Sequence, residues 1–577
     1  MGRYHLFFVA CFLYVPCVLS ELIASIDCGY SGEEYLDSKL IIWESDDDYI
    51  RHGDTKVVPS RNSVSTEMDT LRVFTTRKKN CYSINSVDQE GERILIRASF
   101  YYGNYDGKSS PPVFDLQFSG NEWLTVQTSM DTVISHEVIY VVQGYTPSVC
   151  VAQTKPGNFP FISAIEVRSL DAEMYSGIRQ DRALFLRDRI AYGSDEIIRY
   201  ADDSYDRLWI PGGGTGFLSV ANEALYIDDT HDDYPPVKVL ENAITPSREF
   251  GNITLSSFPT NTDSNKQFSV YLNLYFSEVR ELDETTELRS FNIYIDDNLW
   301  TQESPVKPPY EDFHQYYGNI TVTSNSTVKL VQTSDSTLPP LINALEWFFI
   351  SDVLNNGTNS KDADGLSALQ EAFEVLKDWQ GDPCLPASFS WDWITCSSDP
   401  IPRVTALDVS GFNLSGTLPD FSTMDALETI DLHNNSIEGP IPDFLGQLPN
   451  LKQLDLSKNE LSGAIPSSLS SNKIIKLDVS GNAGLCSSGT SCKNPPGPGA
   501  GSSSGRKKKK KGKLPLILGI TIPMFLLFWI VAGMLVILHL KRRSIYVTAT
   551  IPGQESGGNK PKQEPEEPLS LGRESSA

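Results

Sequence analysis

Three tyrosines and an aspartate crowd one short stretch of the chain, at Tyr101, Tyr102, Tyr105 and Asp106. The flat face of an aromatic ring packs well against a sugar ring, and a neighbouring carboxylate accepts hydrogen bonds from sugar hydroxyls. These residue types at this spacing therefore predict a carbohydrate-binding site. Peptide or protein binding in the cleft between two β-sandwiches, which are predicted below for residues 21–352, is an equally open alternative.

The rest of the sequence contains no pattern that points to catalysis. Its seven histidines include no His-x-x-x-His pair, and there is no Cys-x-x-Cys pair, so we predict no metal site. Glycoside hydrolysis needs two carboxylates about 5–10 Å apart, and an abundance of acidic residues does not identify such a pair. We predict no catalytic residues and no cofactor. A membrane-anchored glycan hydrolase remains the weakest of the alternatives.

The formal net charge of −26 limits the possible partners. A strongly acidic surface repels nucleic acid and other polyanions. Nucleic-acid binding is therefore excluded, and the charge is expected to keep the protein soluble.

Both ends of the chain carry segments that direct a protein to membranes. Residues 1–20 have one arginine and an apolar run over Leu6–Leu19, as in a secretory signal peptide cleaved after Ser20. Residues 514–540 contain no Lys, Arg, Asp or Glu and would span about 40 Å as a helix, enough to cross a bilayer. We predict a single-pass type I protein of the plasma membrane with an extracellular N-terminus.

The segments on either side of the apolar stretch 514–540 are a linker and a tail. Residues 494–513 form a Pro/Gly/Ser-rich and polybasic linker, and the role of its lysine run at 507–511 stays open. By charge alone the linker would face the cytoplasm, but the signal peptide, the glycosylation sequons and the cysteines favour the outside. Residues 541–577 are predicted to be a disordered cytoplasmic tail without the motifs of a kinase. Whether a kinase is missing in nature or from a truncated gene model stays open.

Several residues fit an extracellular location. Cysteines close in sequence predict the disulfides Cys384–Cys396 and Cys486–Cys492, while Cys28, Cys81 and Cys150 leave three pairings open. Asn-x-Ser/Thr sequons predict N-glycosylation at six positions, all between the two apolar segments. They are Asn252, Asn319, Asn325, Asn356, Asn413 and Asn434.

Residues 21–352 read as many short strands separated by polar turns, which is typical of β-sandwiches. The order of strand-like segments repeats about 170 residues later, so we predict two tandem sandwiches, at about 21–175 and 190–352. The second copy has Arg280 and Glu281 in place of two aromatics. The matching segments are Ile94–Phe100, Val113–Phe118 and Phe161–Val167 in the first copy, and Phe268–Phe276, Ser290–Asp296 and Pro340–Trp347 in the second.

Five short motifs stand out in this region: Ser25–Gly29, Asn80–Tyr82, Ile96–Gly107, Asp206–Trp209 and Tyr234–Pro236. Together they resemble the tandem malectin-like ectodomain of plant leucine-rich-repeat receptor kinases, and the resemblance covers residues 22–352. It implies that Tyr101, Tyr102, Tyr105 and Asp106 fall near the position of ligand-stacking aromatics in animal malectin. The sequence Gly381-Asp-Pro-Cys384 belongs to the same receptors.

Residues 353–400 are expected to connect the sandwiches to a repeat region. An apolar face predicts a helix over 362–379 with Asp362 or Asp364 as N-cap. The stretch 378–396 carries Trp391 and Trp393 inside a predicted disulfide loop. We predict that it is both a hinge between two architectures and a lid on the apolar end of the repeats.

Residues 401–493 contain four leucine-rich repeats at intervals of 23, 24 and 23 residues, followed by a C-terminal cap. The predicted strands begin at Leu407, Ile430, Leu454 and Leu477. Asn435, Asn459 and Asn482 recur five residues after a strand start, where an amide can bond the backbone of neighbouring turns. The fold class is therefore mainly β: tandem malectin-like sandwiches, then a short leucine-rich-repeat solenoid, one transmembrane helix and a disordered tail.

Together these features predict a plant cell-surface receptor-like protein without a kinase. It would bind an extracellular carbohydrate, a peptide or a partner ectodomain, and signal through a receptor-kinase co-receptor. The alternative is a structural tether that attaches the membrane to wall carbohydrate.

Overall fold

The computed structural model describes residues 22–486, apart from 86, 88, 89, 145, 231, 232, 248–250, 256–265 and 301–304. The predicted signal peptide, Cys492, the polybasic linker, the transmembrane helix and the tail lie outside these residues. Within the described part of the chain, no helix is long and apolar enough to cross a membrane. All described residues belong to one compact unit.

The first part of the chain folds into short strands that contribute to two main sheets and a smaller one. The strands are β1 Leu22–Asp27, β2 Tyr35–Leu36, β3 Ile42–Ser45, β4 Asp54–Val57, β5 Thr70–Val73, β6 Lys79–Ser83, β7 Arg93–Phe100, β8 Val113–Phe118, β9 Asn121–Gln127, β10 Ile134–Val141, β11 Ser148–Ala152, β12 Phe161–Ile162 and β13 Ala164–Leu170. Strand β7 is buried at every residue because both of its faces are covered.

The next part repeats this construction and adds one short helix. The strands are β14 Leu184–Tyr192, β15 Ile210–Gly212, β16 Phe217–Ala221, β17 Asn242–Pro246, β18 Ile253–Leu255, β19 Phe268–Phe276, β20 Phe291–Ile295, β21 Asn298–Leu299, β22 His314–Val322, β23 Val328–Gln332 and β24 Ala344–Ile350, and the helix is α1 Val237–Leu240.

The strand order of the first part recurs in the second. The first has the sheets β1-β13-β7-β10 and β6-β11-β8-β9, and the second has β14-β24-β19-β22 and β18-β23-β20-β21. Antiparallel pairing of β10 with β14 joins the two parts into one continuous sheet, with Val138 opposite Phe185 and Ile139 opposite Leu184. The two sandwiches are thus fused through a shared sheet.

A row of buried charges crosses the strands where the two sandwiches meet. Arg97 binds Glu137 at 3.0 Å and Glu166 at 3.1 Å. Arg189 continues the row, at 2.7 Å from Glu137 and 2.6 Å from Glu346. The alternation of sign compensates each charge, which burial would otherwise make very unfavourable.

The Asp206–Trp209 motif covers this row. The Asp206 carboxylate lies 2.8 Å from both Arg168 and Arg199. Burial alone would raise the pKa of Asp206, but the guanidinium groups of Arg97, Arg168 and Arg199 hold it well below its usual range. The motif therefore holds the two sandwiches together.

The last part of the chain forms a helix and a stack of repeats. The helices are α2 Ser360–Ala372 and α3 Ser467–Ser470, and the strands are β25 Ile394–Cys396, β26 Val404–Asp408, β27 Ser415–Thr417, β28 Thr429–Asp431, β29 Ser436–Gly439, β30 Gln453–Asp455, β31 Glu460–Ala464, β32 Lys476–Asp478 and β33 Gly484–Cys486. Strands β26, β28, β30 and β32 are parallel, and β25 caps them in the antiparallel direction.

The expected bounds and N-cap of the connecting helix were wrong. Helix α2 begins at Ser360 and ends at Ala372, and Asn359 caps it by accepting a hydrogen bond from the amide of Lys361. The carboxylate of Asp362 is buried and instead accepts bonds from Arg403 and from the amide of Val404. Backbone φ and ψ become extended at Phe373, which ends the helix.

The expected asparagine ladder is confirmed. The side-chain oxygen of Asn459 accepts a bond from the amide of Ile437, and its nitrogen donates to Leu432 in the preceding repeat. Asn435 and Asn482 make the equivalent bonds. Each amide therefore satisfies backbone groups that the bend after the strand would leave unpaired.

Candidate functional site

The predicted aromatic site is largely buried in the first sandwich. Tyr101 and Tyr102 are 2% and 1% exposed. The Tyr101 hydroxyl donates to the Asn62 carbonyl at 2.6 Å, and the Tyr102 hydroxyl donates to Asp106 at 2.5 Å. Tyr105 and Asp106 are half-buried. Because the first two rings fill the core, they offer no free face to a sugar as they stand, and sugar binding at Tyr105 and Asp106 stays a prediction.

The stretch around Gly381 docks on the outer sheet of the first sandwich. A disulfide joins Cys81 of β6 to Cys150 of β11, and Gly381 lies against it. This bond selects one of the three pairings that the sequence left open, with Cys28 buried as a free thiol. The repeat cap and the first sandwich therefore touch at a crosslinked part of the sheet.

Side chains of β6 hold the docked stretch. The Lys79 ammonium donates to the carbonyls of Asp382 and Leu385, at 2.7 and 3.0 Å. The Ser83 hydroxyl donates to the side-chain oxygen of Gln380 at 2.6 Å. Burial lowers the pKa of Lys79 to about 8. These bonds satisfy backbone groups that docking removes from water.

Asp382 fixes the stretch from the other side. Its carboxylate accepts bonds from the amide and hydroxyl of Thr358, at 2.7 and 2.6 Å. It also accepts bonds from the amides of Cys384 and Leu385. Hydrogen bonds therefore hold the stretch on both sides, and its expected role as a hinge stays a prediction.

The packing agrees with the predicted role of residues 378–396 as a lid on the apolar end of the repeats. Cys384 and Cys396 form the expected disulfide. Trp391 and Trp393 are 4% and 2% exposed and belong to the same apolar core as Leu407 of the first repeat. The two indoles cover apolar side chains at the start of the repeats, which would otherwise face water.

A cleft of about 700 Å³ opens beside this dock, and we refer to it as the junction cleft. One wall comes from the first sandwich and includes Ser119, Asn121 and Ser148, and the opposite wall comes from α2 and includes Ser367 and Gln370. Trp379, Trp391 and Tyr140 add aromatic surface. The volume lies within the range of about 300–1,000 Å³ that is typical of small-molecule sites.

The electrostatics of the junction cleft are simple. Its described lining contains no Lys, Arg or His, and its charged residues are Asp364 and Asp382. The Asp382 carboxylate is already bonded as described above. Sequence reasoning did not find this cleft because its walls come from segments more than 200 residues apart, and no local pattern indicates that they meet.

A second polar group lies on the sheet of the repeats. Asp431, His433 and Asp455 place ligand atoms within 4.8 Å of one another. Both carboxylates, however, accept bonds from backbone amides two residues on. Asp431 also binds the His433 ring at 2.8 Å, which raises the pKa of His433. These groups already serve the fold of the repeat, and we assign no metal to them.

The sequon asparagines are all on the surface. Each of the six is exposed in the structure, so each is accessible to a glycan, and glycosylation itself stays a prediction. Asn356 lies next to the junction cleft, since Asn355 and Gly357 line it. The pairing of Cys486 with Cys492 also stays a prediction because Cys492 is outside the described residues.

Comparisons with known proteins identify both parts of the fold. The family model "Malectin-like domain" matches residues 26–350, and "Leucine rich repeat" matches residues 402–461. A probable leucine-rich-repeat receptor-like serine/threonine-protein kinase of Arabidopsis thaliana is 34% identical over 414 residues, covering 70% of this chain and 47% of the relative. An uncharacterized protein of the same plant is 34% identical over 342 residues, covering 58% of this chain and 66% of that protein.

The chain spans about half the length of the receptor-kinase relatives that it matches. Among solved structures, the ANX1 ectodomain from Arabidopsis thaliana has a TM-score of 0.48 at 18% identity and covers 57% of this chain and 96% of that one. The malectin-like family model matches more than half of the present chain. The chain therefore belongs to the malectin-like domain family, with leucine-rich repeats after that domain.

Proposed function

We propose that the chain is the ligand-recognising part of a plant plasma-membrane receptor. It binds an extracellular glycan or peptide, or a partner ectodomain, and passes the signal to an associated receptor kinase. The observation that carries this proposal is the junction cleft, whose walls come from both the first sandwich and the helix that leads into the repeats. A ligand held there contacts both parts of the ectodomain.

Two further observations support recognition rather than catalysis. The carboxylates with the strongest electrostatic contacts, such as Asp206 and Glu346, are buried in the charge row between the sandwiches, where no substrate reaches them. In the junction cleft, the carboxylate of Asp382 is saturated by hydrogen bonds. Neither place offers a pair of free acids of the kind that sugar hydrolysis needs.

The test is recovery of a kinase partner from plant membranes. The full chain, with an affinity tag at its C-terminus, is expressed in leaf cells and purified from detergent-solubilised membranes. We expect the same receptor kinase to be enriched in replicate purifications, relative to a tagged control that keeps residues 494–577 but has an unrelated ectodomain.

Absence of any kinase enriched over that control would contradict the proposal. If the chain instead remained with insoluble wall material until the wall was digested, the structural tether would be the better description.

A further inference from the structure

We propose that the disulfide between Cys81 and Cys150 is a redox-controlled latch that fixes the repeat cap, residues 378–396, on the first sandwich. The oxidised pair holds the cap docked, and reduction to two thiols releases it. This inference goes beyond ligand recognition, since it concerns how two parts of the ectodomain are held together. It does not depend on which ligand they bind.

The disulfide is the middle one of three contacts along one face of β6. Lys79, Cys81 and Ser83 alternate along this strand, so their side chains leave the sheet on the same face. Lys79 and Ser83 make the hydrogen bonds to the docked stretch that are described above. Between them, Gly381 lies on the two sulfurs. A change in the disulfide therefore acts at the centre of the dock.

The sulfurs are tightly packed under the cap. Cys81 and Cys150 lie directly opposite each other on the paired strands β6 and β11, and both are 2% exposed. A carbon added to Gly381 would come within 2.5 Å of one sulfur and 3.0 Å of the other. Two thiols cannot approach each other as closely as two bonded sulfurs, so reduction moves the sulfurs apart. The group on which the cap lies then needs more space, and the close contact with Gly381 is lost.

The chemistry of release is thiol–disulfide exchange with a dithiol reductant. A thiolate of the reductant attacks one of the two sulfurs, the bond between Cys81 and Cys150 breaks, and a mixed disulfide forms. The second thiol of the reductant then attacks the mixed disulfide. The reductant leaves as a disulfide, and two electrons and two protons have passed to the cysteines, which are now thiols.

The dock and the disulfide protect each other. Because sulfurs that are 2% exposed are not accessible to a thiolate, the cap has to lift before exchange begins. Thermodynamic coupling is reciprocal, so a disulfide that favours docking is itself favoured by docking. Once reduced, the thiols disfavour redocking until they are oxidised again. The disulfide Cys384–Cys396 lies within the cap and does not cross the dock.

Hydrogen–deuterium exchange of the full chain in detergent tests the release. Uptake is measured over residues 378–385 of the cap, and over β7, a buried strand in the other main sheet of the first sandwich. We expect dithiothreitol to raise the exchange rate of the wild type over 378–385 at least tenfold and to leave β7 unchanged. Removal of the reductant and reoxidation should restore the slow exchange.

Cys81→Ala/Cys150→Ala is the matched control for the other disulfides. This variant has no sulfurs under Gly381, so its cap has the space that thiols lack, while dithiothreitol still reduces Cys384–Cys396. We expect dithiothreitol to change its exchange rate over 378–385 less than twofold. Uptake over β7 checks that the variant remains folded.

The kinetics of reduction test the reciprocal effect. Lys79→Met removes the ammonium group that holds the cap, so Cys81 and Cys150 should be reduced at least tenfold faster than in the wild type. Lys39→Met, at an exposed position with no listed role in the dock, should be reduced at the wild-type rate. Alkylation of free thiols followed by peptide mass spectrometry measures the reduced fraction of each cysteine with time.

The possible results separate the inference from the proposed function. The inference is overturned if the reduced wild type keeps slow exchange over 378–385, if the alanine pair responds to dithiothreitol as the wild type does, or if exchange rises equally over β7. It is also overturned if Lys79→Met is reduced no faster than the wild type, or if reoxidation does not restore slow exchange. Recovery of a receptor kinase is measured separately, so the proposed function stands or falls on its own.

Discussion

Gly381 of the repeat cap lies directly on Cys81 of the first sandwich. A side-chain carbon built on Gly381 would come within 2.5 Å of the Cys81 sulfur and 3.0 Å of the Cys150 sulfur. The backbone of Gly381 also has φ of +73°, in the left-handed region that residues with a side chain disfavour. Only glycine therefore allows the cap to approach the disulfide this closely.

The first prediction follows from this contact. In Gly381→Ala, the left-handed backbone is strained by the new side chain, and the added methyl group also pushes the cap away from the disulfide. We expect the free energy of unfolding to fall by about 2–4 kcal/mol. Chemical denaturation of the purified chain, followed by tryptophan fluorescence, measures the change.

Gly107→Ala is the matched control. Gly107 has φ of +70°, but a side-chain carbon there meets no atom within 4 Å. Gly107→Ala should therefore lower the free energy of unfolding only by the cost of the strained backbone, about 1–2 kcal/mol. Equal losses for the two variants would mean that the close approach at Gly381 contributes nothing to stability.

The second prediction concerns the row of buried charges between the two sandwiches. Within the described part of the chain, Arg97→Met removes the one cation that contacts both of the buried carboxylates of Glu137 and Glu166, which leaves each with fewer counter-charges than the buried row was built around. We expect a loss of about 3–5 kcal/mol of unfolding free energy. Arg179→Met is the control, because Arg179 pairs with Asp181 at the exposed surface, where solvent screens the pair, so its removal should leave the unfolding free energy nearly unchanged. A loss at Arg97 as small as that at Arg179 would count against a stabilising role for the row.

The third prediction is that the buried carboxyl group of Asp27 makes the stability of the fold depend on pH. Burial raises the pKa of Asp27 to about 7, although Thr70 and Tyr35 donate hydrogen bonds to it. The folded state then holds this proton more tightly than the unfolded state, so the stabilisation is complete below about pH 4 and is lost as pH rises to about 7. The loss is on the order of 4 kcal/mol.

Asp27→Asn tests this dependence because the amide cannot ionise. Relative to the wild type, the variant should gain stability steadily from pH 4 to pH 7 in denaturant titrations. Asp131→Asn, at an exposed position, should follow the wild-type curve. A constant difference between Asp27→Asn and the wild type across this range would rule out the raised pKa.

Regular features of the fold could be predicted from the sequence because they repeat at fixed spacing. An apolar residue recurs at the Leu454 position in all four repeats and an asparagine at the Asn459 position in three of them. This recurrence predicted both the buried strand residue and the ladder bond, and the structure has both. A period of 23 or 24 residues is a local signal, and stacking is the one arrangement that buries its leucines.

The junction could not be predicted in the same way. Lys79 and Asp382 are 303 residues apart, and no local pattern indicates that they meet. The burial of the aromatic stretch could not be predicted for a related reason. Tyr101 and Tyr102 are residues of the type that sugar sites use, but they lie in the core. Aromatic residues contribute strongly to cores as well as to interfaces, and only the packing distinguishes the two uses.

The last prediction concerns the disulfide of the cap. Replacing both Cys384 and Cys396 by serine opens the loop that carries Trp391 and Trp393, and closing a loop of this length is worth about 3 kcal/mol. We expect the apolar end of the repeats to become exposed and the chain to be retained in the secretory pathway, as measured by surface biotinylation of plant cells. Cys28→Ala, which leaves both described disulfides intact, should reach the surface normally. Normal surface delivery of the double variant would refute the lid role.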